Sequence, residues 1–150
     1  MKITVFNEES IQKAITTEKH VVISIQEPNH DCVTLPKLKS RLGCLQLKFH
    51  DVDDDCSEDF NNWCKEGNIV PFTPYHAKCI LEFVNKWKDD VDVIYVNCVA
   101  GIQRSAGVAG ALSKILNGDD SYYFKHYIPN RYVYRLILDE YYNEKENNTT

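Results

Sequence analysis

"VNCVAGIQRSAG", residues 96–107, joins two contrasting sequence patterns and places five residues between a cysteine and an arginine. The preceding run, Val91–Val96, is rich in β-branched residues and predicts a strand buried in a sheet. The following run, Ser105–Leu116, has small residues at helical spacing and stops at Gly118, which predicts a helix packed closely on that sheet. A strand, a tight loop and a helix in this order predict one βα unit of a parallel α/β sheet.

Strand and helix patterns alternate along the rest of the chain as well. Short, mostly apolar runs predict three further strands, at Lys2–Phe6, His20–Ile25 and Cys44–Phe49. Apolar residues at helical spacing predict helices at Glu8–Ile15, at Thr73–Lys88 and after Asn130, which is placed as an N-cap. We therefore expect a single domain over residues 1–150, with a mostly parallel central sheet flanked by helices and a disordered tail over residues 143–150.

The composition is that of a globular protein and argues against several kinds of partner. The chain has 43% hydrophobic and 26% charged residues, and its net charge of −5 disfavours nucleic acids and anionic membranes. No apolar run reaches the roughly 18 residues of a membrane span, and residues 1–10 turn polar too early for a signal peptide. Six cysteines without a C-x-x-C pair fit reduced thiols better than disulfides or a common zinc site. We expect a cytoplasmic monomer that binds neither nucleic acid nor membranes.

The loop between strand and helix has the equipment for chemistry on a phosphate group. Cys98 lies where the predicted strand ends, Arg104 lies where the predicted helix begins, and Gly101 lets the backbone between them curl. Backbone N–H groups and the helix N-terminus then converge on one point, where they bind an anion and favour a thiolate over a thiol. A guanidinium on the same ring can bind two oxygens of one phosphate. The combination indicates nucleophilic attack on phosphorus.

The same stretch resembles the C-x5-R signature of cysteine-dependent protein tyrosine phosphatases, above all the compact dual-specificity type with its HC-x-x-G-x-x-R-S loop. The resemblance extends to "LQLKFHDVD" at residues 45–53, "FTPYHAKCILEFV" at residues 72–84 and "PNRYVYRLILDEYY" at residues 129–142. Over most of the chain the sequence is similar to small bacterial and phage phosphatase-like proteins. The family implies a three-layer architecture, a phosphocysteine intermediate, a mobile loop that carries a general acid, and no metal or other cofactor.

The resemblance also implies a role for each residue of the loop. Cys98 is the expected nucleophile, and Arg104 is expected to hold the phosphoryl oxygens through the transition state. Ser105 matches the family hydroxyl that stabilises the departing thiolate. Backbone amides are expected to bind the substrate phosphate at Val99, Ala100, Gly101, Ile102, Gln103 and Arg104. One position departs from the family, since Asn97 stands where histidine is usual and brings no titratable charge.

The general acid must come from another loop, because the phosphate loop has no proton to give the leaving group. In the family it lies just beyond the strand that corresponds to "LQLKF", which points first to Asp51 and then to Asp53. Residues 54–55 are interpreted as part of a solvated acidic turn. A calcium loop is excluded, because the sixth and twelfth positions of the EF-hand pattern are Cys56 and Asn62 instead of glycine and glutamate.

These features predict a metal-independent phosphatase that hydrolyses phosphomonoesters, with phosphotyrosine first and phosphoserine or phosphothreonine as further substrates. "VAGIQ" carries no lysine, arginine or histidine, so a single phosphate on a protein or a small molecule fits better than a phosphoinositide or an RNA triphosphate. The alternative is a catalytically weak pseudophosphatase that recognises a phosphorylated partner. The R-S ending argues against rhodanese-like sulfur transfer, and arsenate reduction would need a resolving thiol from among Cys32, Cys44 and Cys79.

Overall fold

The computed structural model describes residues 1–53 and 58–148. Within these residues lie the strands β1 (Lys2–Phe6), β2 (His20–Gln26), β3 (Arg41–Lys48) and β4 (Val93–Asn97). The helices there are α1 (Glu8–Lys13), α2 (Glu58–Glu66), α3 (Pro74–Trp87), α4 (Arg104–Asn117), α5 (Ser121–His126) and α6 (Arg131–Asn148). The strands form one parallel sheet in the order β1-β4-β2-β3, which confirms the predicted α/β class.

Helices cover both faces of the sheet, so its two central strands are buried throughout. On one face, Ile23 of β2 and Val96 of β4 share a core with apolar side chains of α3, α4 and α6. On the other face, Val22 and Tyr95 pack with Ile11 of α1 and with a loop that contributes a buried valine, Val33. The apolar run predicted as a doubly buried strand is therefore confirmed, and the layers are helix, sheet and helix.

Capping residues begin and end the helices where the sequence predicts. The Thr73 hydroxyl accepts a hydrogen bond from the His76 N–H at 3.4 Å, with proline in the first turn of α3. The Asn130 side chain accepts one from the Val133 N–H at 3.0 Å and so caps α6. Gly118 ends α4 in a left-handed conformation with φ 77°.

The structure differs from the predicted elements most clearly in four places, besides shifts of one or two residues at the ends of other elements. β3 begins at Arg41 instead of Cys44, because it pairs along the whole length of β2. Two helices lie in stretches to which the sequence assigned no element: α2, which is mostly polar, and α5, which has six residues. The predicted tail is helical as far as Asn148, because Tyr141 packs against the core and its ring contacts the Lys145 ammonium one turn on. None of the described helices is long and apolar enough to cross a membrane.

The parallel arrangement gathers four separate parts of the chain at one edge. All four strands point the same way, so the residues that follow them meet at the carboxyl end of the sheet. These residues are Asn7 after β1, Glu27 after β2, Phe49 after β3 and Cys98 after β4. The candidate site lies there.

Candidate active site

The predicted phosphate loop wraps around the sulfur of Cys98. The cysteine is 2% exposed, and its Sγ lies 3.0 Å from the Ser105 hydroxyl oxygen. The Gly101 backbone N–H donates to the same sulfur at 3.3 Å. Arg104 opens α4, so the positive end of the helix dipole faces the loop. The Gly101 N–H, the start of α4 and, when it donates, the Ser105 hydroxyl are groups of the kind that favour negative charge on a sulfur.

Gly101 is the residue that lets the loop lie against the junction between β1 and α1. Its φ is 68°, and an added Cβ would stand 2.7 Å from the Asn7 nitrogen and 2.8 Å from the Phe6 carbonyl carbon. The Glu8 N–H donates to the Val99 carbonyl at 3.1 Å across the same contact. The close approach and the left-handed backbone both require glycine at this position.

Arg104 is held rigidly beneath the loop and keeps unused hydrogen-bond donors. The residue is 4% exposed, one Nη donates to the Phe49 carbonyl at 2.9 Å, and the other lies 2.8 Å from Glu27 Oε1. Its Nε is buried and has no hydrogen-bond partner among the described residues. A guanidinium has five N–H donors in a planar fork, so Nε–H and one hydrogen on each Nη are left for a ligand. The geometry suits an anion with several oxygens.

Glu27 is a site residue that the sequence analysis missed. Its second carboxylate oxygen lies 3.8 Å from His50 Nε2. The Val70 N–H donates to the other ring nitrogen at 2.9 Å, so a neutral His50 carries its hydrogen on Nε2, toward Glu27. The sequence places Glu27 directly after a predicted buried strand, β2. It does not indicate that β2 lies next to β4, the strand that leads to Cys98.

Both candidate acids border the same pocket as the phosphate loop. Asp51 is exposed, and its Oδ1 accepts a hydrogen bond from the Asn130 side-chain amide at 2.8 Å. A pocket of about 260 Å³ is lined by Asp51, Asp53, Gln103, Ile128, Pro129 and Asn130. The structure therefore brings Asp51 and Asp53 into one pocket with Gln103, a residue of the loop. Asp54, Asp55 and Cys56, assigned to an acidic turn and a rejected calcium loop, lie outside the described residues.

Asn97, which replaces the family's histidine, is fully buried at the end of β4. It lies in register with Ser24 of β2 and Phe6 of β1. Both polar atoms of its amide, and the Ser24 hydroxyl, find no hydrogen-bond partner among the described residues. The position therefore supplies no charge and no described hydrogen bond to Cys98.

Cys32, Cys44, Cys79 and Cys98 are free thiols. Partial desolvation raises the pKa of the Cys44 thiol above its usual value, although the residue is exposed at the surface. Across residues 1–53 and 58–148, no group of three or more His, Cys, Asp or Glu side chains is placed to hold a metal ion.

Two solved structures are similar to this chain over nearly the whole length of both partners. One is the human tyrosine phosphatase-like serine/threonine/tyrosine-interacting protein, with a TM-score of 0.61, 18% identity, and coverage of 95% of this chain and 92% of that chain. The other is PTPMT1, with a TM-score of 0.54, 14% identity, and coverage of 99% and 94%. No protein-family model matches the sequence, and no curated protein matches it significantly. The likeness is one of fold.

Proposed function

Because this chain has the compact fold of the cysteine-dependent tyrosine phosphatases, we propose that it hydrolyses phosphomonoesters through a phosphocysteine on Cys98. The observation that carries the proposal is the buried guanidinium of Arg104, whose Nε has no partner among the described residues and which stands beside a loop that donates an N–H to sulfur. A buried, unpaired donor is costly unless a ligand uses it. A phosphoryl group supplies the oxygens.

The first step transfers the phosphoryl group to the enzyme. The Cys98 thiolate attacks phosphorus, the ester P–O bond breaks, and the leaving oxygen takes a proton from Asp51 or, in the second assignment, Asp53. Arg104 and the backbone amides from Val99 to Arg104 bind the phosphoryl oxygens in the transition state. Glu27 and the Phe49 carbonyl keep the guanidinium in its plane while this happens.

The second step returns the enzyme to its starting state. Water attacks the phosphocysteine, the S–P bond breaks, and inorganic phosphate leaves. The same aspartate, now a carboxylate, takes a proton from the water. Ser105 stabilises the departing thiolate, a role supported by the 3.0 Å distance between its hydroxyl oxygen and Cys98 Sγ.

The surface of the loop supports phosphotyrosine as the preferred substrate. Val99 and Ile102 of the loop are 38% and 43% exposed, and Ile128, which lines the same pocket as Gln103, is 67% exposed. Apolar side chains around a single phosphate site suit an aromatic ring better than a polyanionic headgroup. Phosphoserine and phosphothreonine proteins and small aryl phosphates are further substrates of the proposed enzyme.

A second candidate function is a phosphate-binding protein that recognises a phosphorylated partner with little turnover. Asn97 favours it, because an uncharged, buried amide stands directly before the nucleophile. The two candidates differ in turnover and not in binding, so one pair of measurements separates them.

The test compares wild-type protein with Cys98→Ser on a small aryl phosphate in a metal-free buffer containing a chelator. We expect phosphate release by the wild type and none by the variant, because serine keeps the loop but supplies no thiolate at neutral pH. Both proteins should bind sulfate. Activity in Cys98→Ser, or activity that requires a divalent metal, would contradict the cysteine mechanism. Sulfate binding without turnover by the wild type would favour the second candidate.

A further inference from the structure

Asn130 is a buried residue, 7% exposed, that contacts three parts of the chain around the candidate site: α6, the segment after β3 and the phosphate loop. Its side-chain oxygen accepts from the Val133 N–H at 3.0 Å, which caps α6. Its side-chain nitrogen donates to Asp51 Oδ1 at 2.8 Å and to the Val52 carbonyl at 3.1 Å. Its backbone N–H donates to the Gln103 carbonyl at 2.9 Å, at the end of the phosphate loop.

The orientation of this amide follows from its partners. The nitrogen faces a carboxylate and a carbonyl, which only accept, and the oxygen faces a backbone N–H, which only donates. Turning the amide over would break all three hydrogen bonds. The backbone of residue 130 is also fixed, because the Asn130 carbonyl oxygen packs closely against Gly107. A Cβ added to Gly107 would lie only 2.7 Å from that oxygen.

From this arrangement we infer that Asn130 is the positioning residue of the general acid, which it holds at the edge of the phosphate loop. The inference rests on the proposed phosphatase activity. An amide N–H on Oδ1 leaves Oδ2 as the oxygen that carries the acidic proton, so the donor atom has a defined place in the pocket. A neutral amide does this without adding the full positive charge that a lysine or arginine would bring, which would favour the ionised form of the acid.

The same contacts select Asp51 over Asp53 as the acid. Among the described residues, Asp51 is the aspartate linked to the phosphate loop through one buried residue: the Asn130 side chain donates to Asp51 at 2.8 Å, and the Asn130 backbone N–H donates to the Gln103 carbonyl at 2.9 Å. A proton donor works only when its oxygen is held within hydrogen-bond reach of the leaving group. Asn130 supplies that constraint for Asp51.

The experiment separates this role from helix capping by using two substitutions. Asn130→Ser keeps an N-cap oxygen for Val133 and keeps the backbone N–H, but its shorter side chain lacks the amide donor to Asp51. Asn130→Ala loses both the cap and the donor. Each variant is assayed with an activated aryl phosphate and with an alkyl phosphate, whose poor leaving group needs a proton, and its unfolding free energy is measured in urea.

We expect Asn130→Ser to slow the alkyl phosphate by about tenfold or more, with the activated substrate changed by less than about threefold, because only the alkyl substrate depends on the acid. Asp51→Asn should show the same pattern, and the double variant should be no slower than Asp51→Asn alone, since both changes remove one function. Asn130→Ala should match Asn130→Ser in this selectivity while being less stable.

Three results would overturn the inference while leaving the phosphatase proposal in place. They are equal losses on both substrates for Asn130→Ser, a double variant slower than Asp51→Asn, and leaving-group dependence in Asp53→Asn but not in Asp51→Asn. An inactive wild type would overturn both the inference and the proposed function, so the two failures are distinguishable.

Discussion

Arg104 is a buried cation that has two protein partners and still keeps unused N–H donors. A buried cation is tolerated when it is paired, and removing its partner typically costs about 3–5 kcal/mol. Glu27 and the Phe49 carbonyl supply the pairing here, on two of the three guanidinium nitrogens. Because the guanidinium is planar and has five N–H donors, it can hold these two partners and still offer its remaining N–H groups to a ligand. A lysine ammonium, with three donors on one nitrogen, cannot do both.

Arg104→Lys should therefore lower kcat/KM by about a hundredfold or more, near 3 kcal/mol, which is the typical effect of removing one preorganised hydrogen-bond donor from a transition state. The charge is kept, but the ammonium cannot hold Glu27, the Phe49 carbonyl and two phosphoryl oxygens together. Steady-state kinetics on an aryl phosphate measures the loss. Arg135→Lys, on the exposed surface of α6, is the control and should stay within about twofold of the wild type. A drop of tenfold or less in Arg104→Lys would show that the arginine is not the clamp.

The residues of the site divide into those that the sequence predicts and those that it does not. Cys98, Gly101, Arg104 and Ser105 belong to one loop, so their spacing alone predicts that they lie together, and the structure places them so. The long-range partners carry no such signal, because Glu27 and Asn130 reach the site only through the order of the strands and the docking of α6.

At the scale of elements, the phosphate loop is shaped by the neighbouring junction of β1 and α1. Asn7 caps α1, its side chain accepting from the Ser10 N–H at 2.7 Å, which fixes the backbone that Gly101 touches. The loop and the junction are therefore one packed unit, although β1 and β4 are far apart in sequence.

Gly101→Ala tests this unit. The left-handed φ costs about 1–2 kcal/mol for a residue with a Cβ, and forcing that Cβ against backbone atoms adds about 1–3 kcal/mol. Gly118→Ala is the matched control, because its φ of 77° is similar but an added Cβ would meet nothing within 4 Å. We expect urea unfolding to show the larger loss for Gly101→Ala. Equal losses in the two variants would mean that the contact with β1 and α1 does not constrain the loop.

The start of α3 contains a capping box in which histidine takes the place of the usual glutamate or glutamine. The Thr73 N–H donates to His76 Nδ1 at 3.0 Å, so the ring must be unprotonated there. Burial lowers the pKa of His76 below its ordinary value of 6.5. As the pH falls, His76 is therefore protonated in the unfolded chain before it is protonated in the folded protein. The contribution of the neutral ring to the free energy of unfolding is complete above pH 6.5 and is lost as the pH falls from there toward the pKa of the folded state.

His76→Gln should weaken this pH dependence, because glutamine completes the capping box without titrating. The measurement is the unfolding free energy in urea at about pH 7.5 and about pH 5.5, for the wild type and the variant. We expect the wild type to lose more stability than the variant between the two values. A wild type that gains stability on acidification relative to His76→Gln would contradict the assigned direction.

The elements themselves were predictable where caps and periodicity agree, as in α3 and α4. The helices missed, α2 and α5, lie in stretches without a long apolar face, and they are short enough that neighbouring structure decides their conformation. The end of α6 was missed for a related reason, since the packing of Tyr141 outweighs the polar composition that follows it.

At the scale of the whole molecule, the order of the strands brings the residues of the candidate site together. The order β1-β4-β2-β3 places the strand leading to Cys98 between the two strands that supply Asn7 and Glu27. The molecule as a whole is acidic, with a net charge of −5, so attraction of an anion must come from the loop's own N–H groups and Arg104. Local preorganised donors outweigh a diffuse surface charge, because salt screens the latter over about 10 Å.

Oxyanion binding should therefore stabilise the whole fold through this one site. A ligand that binds the folded state alone adds about 2.7 kcal/mol at a hundred times its Kd, which for a chain of this size raises Tm by roughly 5–10 °C. We expect vanadate to raise the Tm of the wild type by this amount at a saturating concentration.

Sulfate should raise the Tm of wild type and Cys98→Ser alike, since its binding needs no bond to sulfur. Arg104→Lys should lose most of either shift, which separates site binding from the general stabilisation that sulfate gives any protein. An equal rise in Tm in Arg104→Lys would show that the anion binds elsewhere, and it would contradict the proposal that this loop binds the phosphate.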